Sequence, residues 1–276
     1  MTVMRTGSGD SAAREPVSPS EDAISGSVAV TVPAPDAYDM FTAVVALRQL
    51  AQWLPLTRST VLDVSLPLAD AATAVDHRIS DVVRSAGHQV ITVTRDAHAT
   101  GMRRPHPVVV GDPRRLTWVR SHSVDVVLAE GGAVSEWLGA EDALRDVARV
   151  LRPGGQLLAT ADSMVLGLAR LAQQHRWSEL ADAPAADVVL VPDPLHDGAL
   201  TRYFGPEDLS ELLNGAGLEV DWIRPRTVLP AGAVRQTLDA DPAALHDLVM
   251  TELRLAQSHE GEPHGNRLVV SGRKPR

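Results

Sequence analysis

The sequence predicts an α/β protein built on a mostly parallel sheet with helices on both faces. Three observations carry this. Short apolar runs, Thr60 to Val64 (TVLDV), His88 to Thr94 (HQVITVT) and Val124 to Leu128 (VDVVL), have the length and composition of buried strands. Helical periodicity separates strand-like runs, as between the first two, the order of a parallel sheet with right-handed crossovers. The stretch Val108 to Thr160 then reads strand, acidic loop, strand, glycine loop, helix, Pro-Gly-Gly turn, strand.

From Pro35 the pattern is helical. Met40, Val44, Leu47, Leu50, Ala51 and Leu54 fall on one face at three- and four-residue steps, and Pro55 ends the helix, which is expected to cover one edge of the sheet. Thr60 to Val64 is the first strand. Asp70 to Ala86 is a helix with Ala72, Val75, Ile79, Val82 and Val83 inward and Gly87 as its cap. Val108 to Val110 and Val124 to Leu128 follow as strands. Glu141 to Leu151 is a helix closed by Arg152-Pro153-Gly154-Gly155, and Gln156 to Ala159 is the next strand.

Ser163 to Trp177 reads as one amphipathic helix. Residues 178–204 read as an insertion, with an apolar run at Val188 to Val191, a Pro-Asp-Pro turn and Thr201 to Phe204, able to pair as a small hairpin over a ligand cleft. Pro206 opens a helix to Asn214, and Leu218 to Ile223 is a strand. Asp241-Pro242 opens a long helix to about Ser258, and Leu268 to Ser271 is the last strand. Residues 1–36, rich in Ser, Gly, Ala, Pro and Asp, are expected to be disordered, with Ser27 to Val32 able to add an edge strand.

Composition excludes several classes. The chain is 276 residues long, and a formal net charge of −9 argues against a phosphate-neutralising surface, so nucleic acid is not an expected partner. No cysteine is present, which removes disulfides, thiolate catalysis and cysteine–zinc sites. The ten histidines show no HxH or HExxH spacing, so no metal is expected. No apolar run reaches the ~18–20 residues of a membrane span, and the first residues lack an apolar signal core. A cytoplasmic protein without membrane attachment is expected.

The Val108 to Thr160 block resembles the second half of a class I S-adenosylmethionine-dependent methyltransferase domain. The resemblance rests on Gly111-Asp112-Pro113, on Ser121 to Val127 (SHSVDVV) and on Leu151-Arg152-Pro153-Gly154-Gly155. It implies a Rossmann-like fold over residues 37–276: a mostly parallel seven-stranded sheet with an antiparallel last strand. It also implies S-adenosyl-L-methionine as cofactor and a small-molecule substrate.

In open parallel sheets ligands bind beyond the carboxyl ends of the strands. By resemblance, Asp63 and Ser65 after the first strand would lie near the methionine part of the cofactor. Thr94 after the second, with Asp96 beyond it, stands where the family holds the ribose hydroxyls. Asp112 would accept the adenine amino group, with Gly111 and Pro113 beside the ring. Glu130 would stand where cofactor and substrate meet, to position substrate or accept a proton. The first loop departs from the family, since Ser65, Pro67 and Ala69 stand where glycines are usual, and Pro67 has no N–H to donate. That departure motivates a second reading, a methyltransferase-like binding or regulatory protein without catalysis. No catalytic base is assigned. His175 and Trp177 could face the substrate, Asp125 is structural, and Arg114-Arg115 and Arg224/Arg226 read as solvated pairs. A nicotinamide dehydrogenase lacks support without GxGxxG after the first strand, and no phosphate-loop motif occurs.

Overall fold

The computed structural model describes residues 36–66, 76–95, 105–183, 186, 188–192, 199–258 and 265–276. The expectations for residues 1–35, for Pro67, Ala69 and Asp96, and for the start of the helix at Asp70 lie outside these residues. So does the tip of the Pro-Asp-Pro turn.

Seven strands form the main sheet: β1 (Thr60–Asp63), β2 (Gln89–Thr94), β3 (Val108–Val110), β4 (Val124–Ala129), β5 (Leu151–Asp162), β8 (Glu219–Pro225) and β9 (Arg267–Arg273). Their order is β3-β2-β1-β4-β5-β9-β8. The first five pair in parallel. The last strand, β9, runs antiparallel and lies between β5 and β8. It is interior, so both of its edges are hydrogen-bonded.

Alternation along the strands builds two cores. Leu62, Val127, Leu157 and Ala159 face one side, with α4 (Ala140–Val150) and α7 (Pro206–Gly215) over them through Leu144, Val147, Leu209 and Leu213. Val61, Val126, Leu128, Leu158 and Val269 face the other, under α1 (Ala37–Trp53) and α2 (Asp76–Ser85) through Leu50, Ile79 and Val83.

The leading helix therefore covers the middle of a face rather than an edge. Its buried stripe also differs from the expected one: Phe41, Ala43, Val45, Ala46 and Leu50 are buried, whereas Met40 is 45% exposed and Ala51 is exposed. The cause is a helix that the periodicity does not reveal, α8 (Ala231–Ala240). With α9 (Leu245–Ser258) it takes Phe41 and Val45 into a third cluster with Val234, Leu238, Val249 and Leu253.

The expected Pro-Gly-Gly turn is a bulge inside β5. Leu151 pairs with Val124 and Gln156 with Val126, so residues 152–155 stand against Asp125 alone. Gly154 has φ +78°, and a Cβ on Gly155 would lie 2.9 Å from the Arg152 carbonyl and 3.0 Å from that of Asp125. The helix expected over Ser163 to Trp177 is two: α5 (Met164–Gln173), with Ser163 accepting the Leu166 amide as its cap, and α6 (Trp177–Asp182). His175, at φ +56°, separates them.

The hairpin expected within residues 178–204 forms, with β6 (Val189–Pro192) antiparallel to β7 (Leu200–Tyr203). It rests on α5 through Leu171, Val189, Val191 and Tyr203, and Arg202 reaches Glu141 of α4 at 2.7 Å. Among the described residues no helix is long and apolar enough to cross a membrane.

Candidate functional site

Parallel strands end together, so the loops after β1, β2, β3 and β4 gather along one edge of the sheet. β8 ends there too, and antiparallel β9 begins there. Two groups of residues form.

The first joins the ends of β1 and β4. Asp63 is 4% exposed, and its Oδ1 accepts the Ser65 amide at 3.1 Å. The Ser65 hydroxyl accepts the Glu130 amide at 3.0 Å, and the Leu66 amide donates to the Glu130 carbonyl at 3.0 Å. Ser65 therefore latches the first loop to the fourth strand, a bond glycine could not make.

Glu130 is 2% exposed, which excludes a surface acid. Its Oε2 accepts from Arg226 Nη2, and Arg226 Nη1 donates to Gln49 Oε1 at 2.5 Å. The expectation that Arg226 is solvated is corrected: it is 4% exposed and stands directly after β8, where it meets a carboxylate. Glu130 Oε1 is buried with no hydrogen-bond partner among the described residues. An orphaned buried oxygen of this kind costs about 1–3 kcal/mol, more when charged, unless a donor reaches it.

Beside Glu130, Gly131 and Gly132 take φ +76° and +81° and lead into α3 (Ala133–Glu136). Gly132 donates to Thr160 Oγ1 at 2.8 Å. A Cβ on Gly132 would press on Asp162 and Arg267, themselves paired at 2.9 Å.

The second group joins β2 and β3. The Gly111 amide donates to the Thr94 carbonyl at 2.8 Å. Pro113 is buried. Asp112 carries several donors: Arg114 through its amide and guanidinium at 2.9–3.2 Å, and Arg95 at 3.0 Å. The Arg114 guanidinium holds the Asp112 carboxyl well below the usual carboxylate range, against the opposing effect of burial. The two groups connect through Thr92, which is paired in register with Asp63 and lies 3.5 Å from its Oδ2. From β3 to β4 is three strand spacings, about 14 Å, a span that suits an adenosyl group with its amino acid.

Sequence reasoning missed three participants. Trp118 is 48% exposed, with its indole nitrogen 3.6 Å from where a Gly111 Cβ would stand. Its position seven residues after Gly111 was the available signal. Gln49 and Arg226 gave none, because each meets its partner only through the fold. His175 and Trp177 pack edge to face at 5.7 Å, with Trp177 59% exposed.

Residues 46–159 match the family described as a methyltransferase domain. No curated protein matches the sequence. Solved structures resemble it at low identity. An S-adenosylmethionine-dependent methyltransferase of Methanosarcina mazei has a TM-score of 0.52 at 15% identity, over 82% of this chain and 97% of that one. One of Mesorhizobium loti has 0.52 at 15%, over 86% and 100%. A Listeria monocytogenes protein assigned to the same activity has 0.57 at 12%, over 86% and 100%. The domain match runs from α1 to β5 and includes the ends of β1, β2, β3 and β4. The chain thus carries a methyltransferase-domain match over residues 46–159 and, by its strand order, the Rossmann-like fold of these methyltransferase structures.

Proposed function

We propose that the chain transfers a methyl group from S-adenosyl-L-methionine to a small-molecule acceptor at the carboxyl edge of the sheet. The observation that carries this is Glu130, a buried carboxylate with one oxygen unpartnered among the described residues, followed by two left-handed glycines within the methyltransferase-domain match. A polar atom left open there fits a group that arrives with its own donor.

When bound, the cofactor supplies a methyl on a sulfonium, a good leaving group, for in-line attack by the acceptor. The protein's task is then alignment and exclusion of water. Asp63 and Ser65 fix the first loop against β4 and so set the wall beside the methionine end. Thr94 stands at the ribose position. Asp112, with Gly111 and Pro113 beside it, stands at the adenine, where the base's amino group would take the place of an arginine donor. Arg226 orients Glu130 through Oε2 and leaves Oε1 for the amino group of the donor or a proton on the acceptor. The negative chain and its scarcity of aromatic residues favour a small acceptor over nucleic acid.

A calorimetric titration with S-adenosylhomocysteine tests the reading. Binding near the micromolar range, about −8 kcal/mol, is expected. Silence at millimolar ligand would leave a methyltransferase fold without the reaction.

A further inference from the structure

On the α1 and α9 face of the sheet, a cavity of about 270 Å³ opens between these helices and the strands β5, β9 and β8. Its floor is Leu158 and Val269, and Trp53, Trp222, Arg224 and Gln49 line it as well. Three features of these walls specify an occupant.

The first is how Trp222 comes to face this side. Val220 and Ile223 both pack on the opposite core, three residues apart, which a regular strand forbids. The register slips by one residue between Val220 and Trp222, and this bulge turns Trp222 and Arg224 toward α1 and α9. The second is Arg224. Its guanidinium lies 4.7 Å from the centre of the Trp222 ring, and no carboxylate among the described residues pairs with it. Arg226, two positions on, is fully engaged. A guanidinium laid on an indole keeps a planar fork of donors for an anion. The third is Trp53, whose indole N–H is tied to Ser271 Oγ at 3.0 Å, which anchors a second aromatic wall.

We infer that this cavity is a binding site for a small planar aromatic carboxylate, distinct from the methyl-donor edge. The ring would lie against the tryptophans and over Leu158 and Val269, and the carboxylate would meet Arg224. The volume falls just below the ~300–1,000 Å³ of pockets for drug-sized ligands, which limits the occupant to one or two fused rings. The site depends on the sheet face and not on the transfer reaction, so the two readings fail separately.

The test is calorimetric titration of the full chain with naphthalene-2-carboxylate, with naphthalene-2-carboxamide as the neutral control. The carboxylate is expected to bind saturably and about tenfold or more tighter than the amide, the ratio set by a charge-assisted pair. Arg224→Met abolishes that preference while thermal melting stays unchanged. Trp222→Leu weakens both ligands. Excess S-adenosylhomocysteine leaves the affinity as it was. No saturation at millimolar carboxylate, equal affinity for the two probes, or displacement by S-adenosylhomocysteine would overturn the assignment.

Discussion

Glu130 and Arg226 meet across 96 residues of chain, with both side chains nearly sealed from water. Arg226→Met would strand a buried carboxylate and should cost about 3–5 kcal/mol, measured by urea unfolding. Adding Glu130→Leu removes the stranded charge and should restore most of that loss. A single variant costing under about 1 kcal/mol would mean the pair is wet in solution. Asp112 acts differently, because it is partly exposed and its cations are local. Asp112→Ala should weaken S-adenosylhomocysteine binding by about 1–3 kcal/mol if the adenine contact exists. Its protonation carries a second signature. The folded carboxyl titrates below its ordinary value of 3.8, so the stabilisation is complete above that pH and declines as the pH falls below it. The stability gap between wild type and Asp112→Asn should therefore hold level at neutral pH and close in acid.

The β6–β7 hairpin is held at two places. Tyr203 crosses Gly167 of α5, where an added Cβ would fall 2.6 Å from the ring. Gly167→Ala should push the hairpin from its helix, cost about 1–3 kcal/mol in thermal unfolding and speed proteolysis at β6 and β7. Normal cleavage there would show that the hairpin stays seated by other contacts. The second hold is Glu141 with Arg202, whose hydrogen bond keeps the Glu141 carboxyl below its usual range.

Elements such as β1, β2 and β4 were legible because runs like TVLD and QVITVT are apolar on both faces. α8 was not legible. Its sequence AGAVRQTLDA offers only Val234 and Leu238 as large apolar residues, too thin a stripe to announce a helix. Missing it misplaced the buried face of α1. At the site, Asp63, Thr94, Gly111, Asp112 and Glu130 could be nominated because each follows a readable strand. The arginines that engage Asp112 and Glu130 could not, since an ion pair leaves no periodic trace.

At the scale of the molecule, β9 decides how the two halves hold together. Five parallel strands end at β5, and β8 reaches them only through β9. A chain stopped at Asn266 should lose cooperative melting altogether rather than shed an edge, as followed by circular dichroism. A sharp transition near the wild-type temperature would mean that β8 can dock without it.

The placement of β9 also orders events during synthesis. The strand that joins the sheet's two parts is made after every other strand of the sheet. Until then β5 has an open edge, and Asp162 lacks Arg267. The nascent chain thus waits with a strand edge bare, and emergence of β9 completes both the sheet and the charged rim above it.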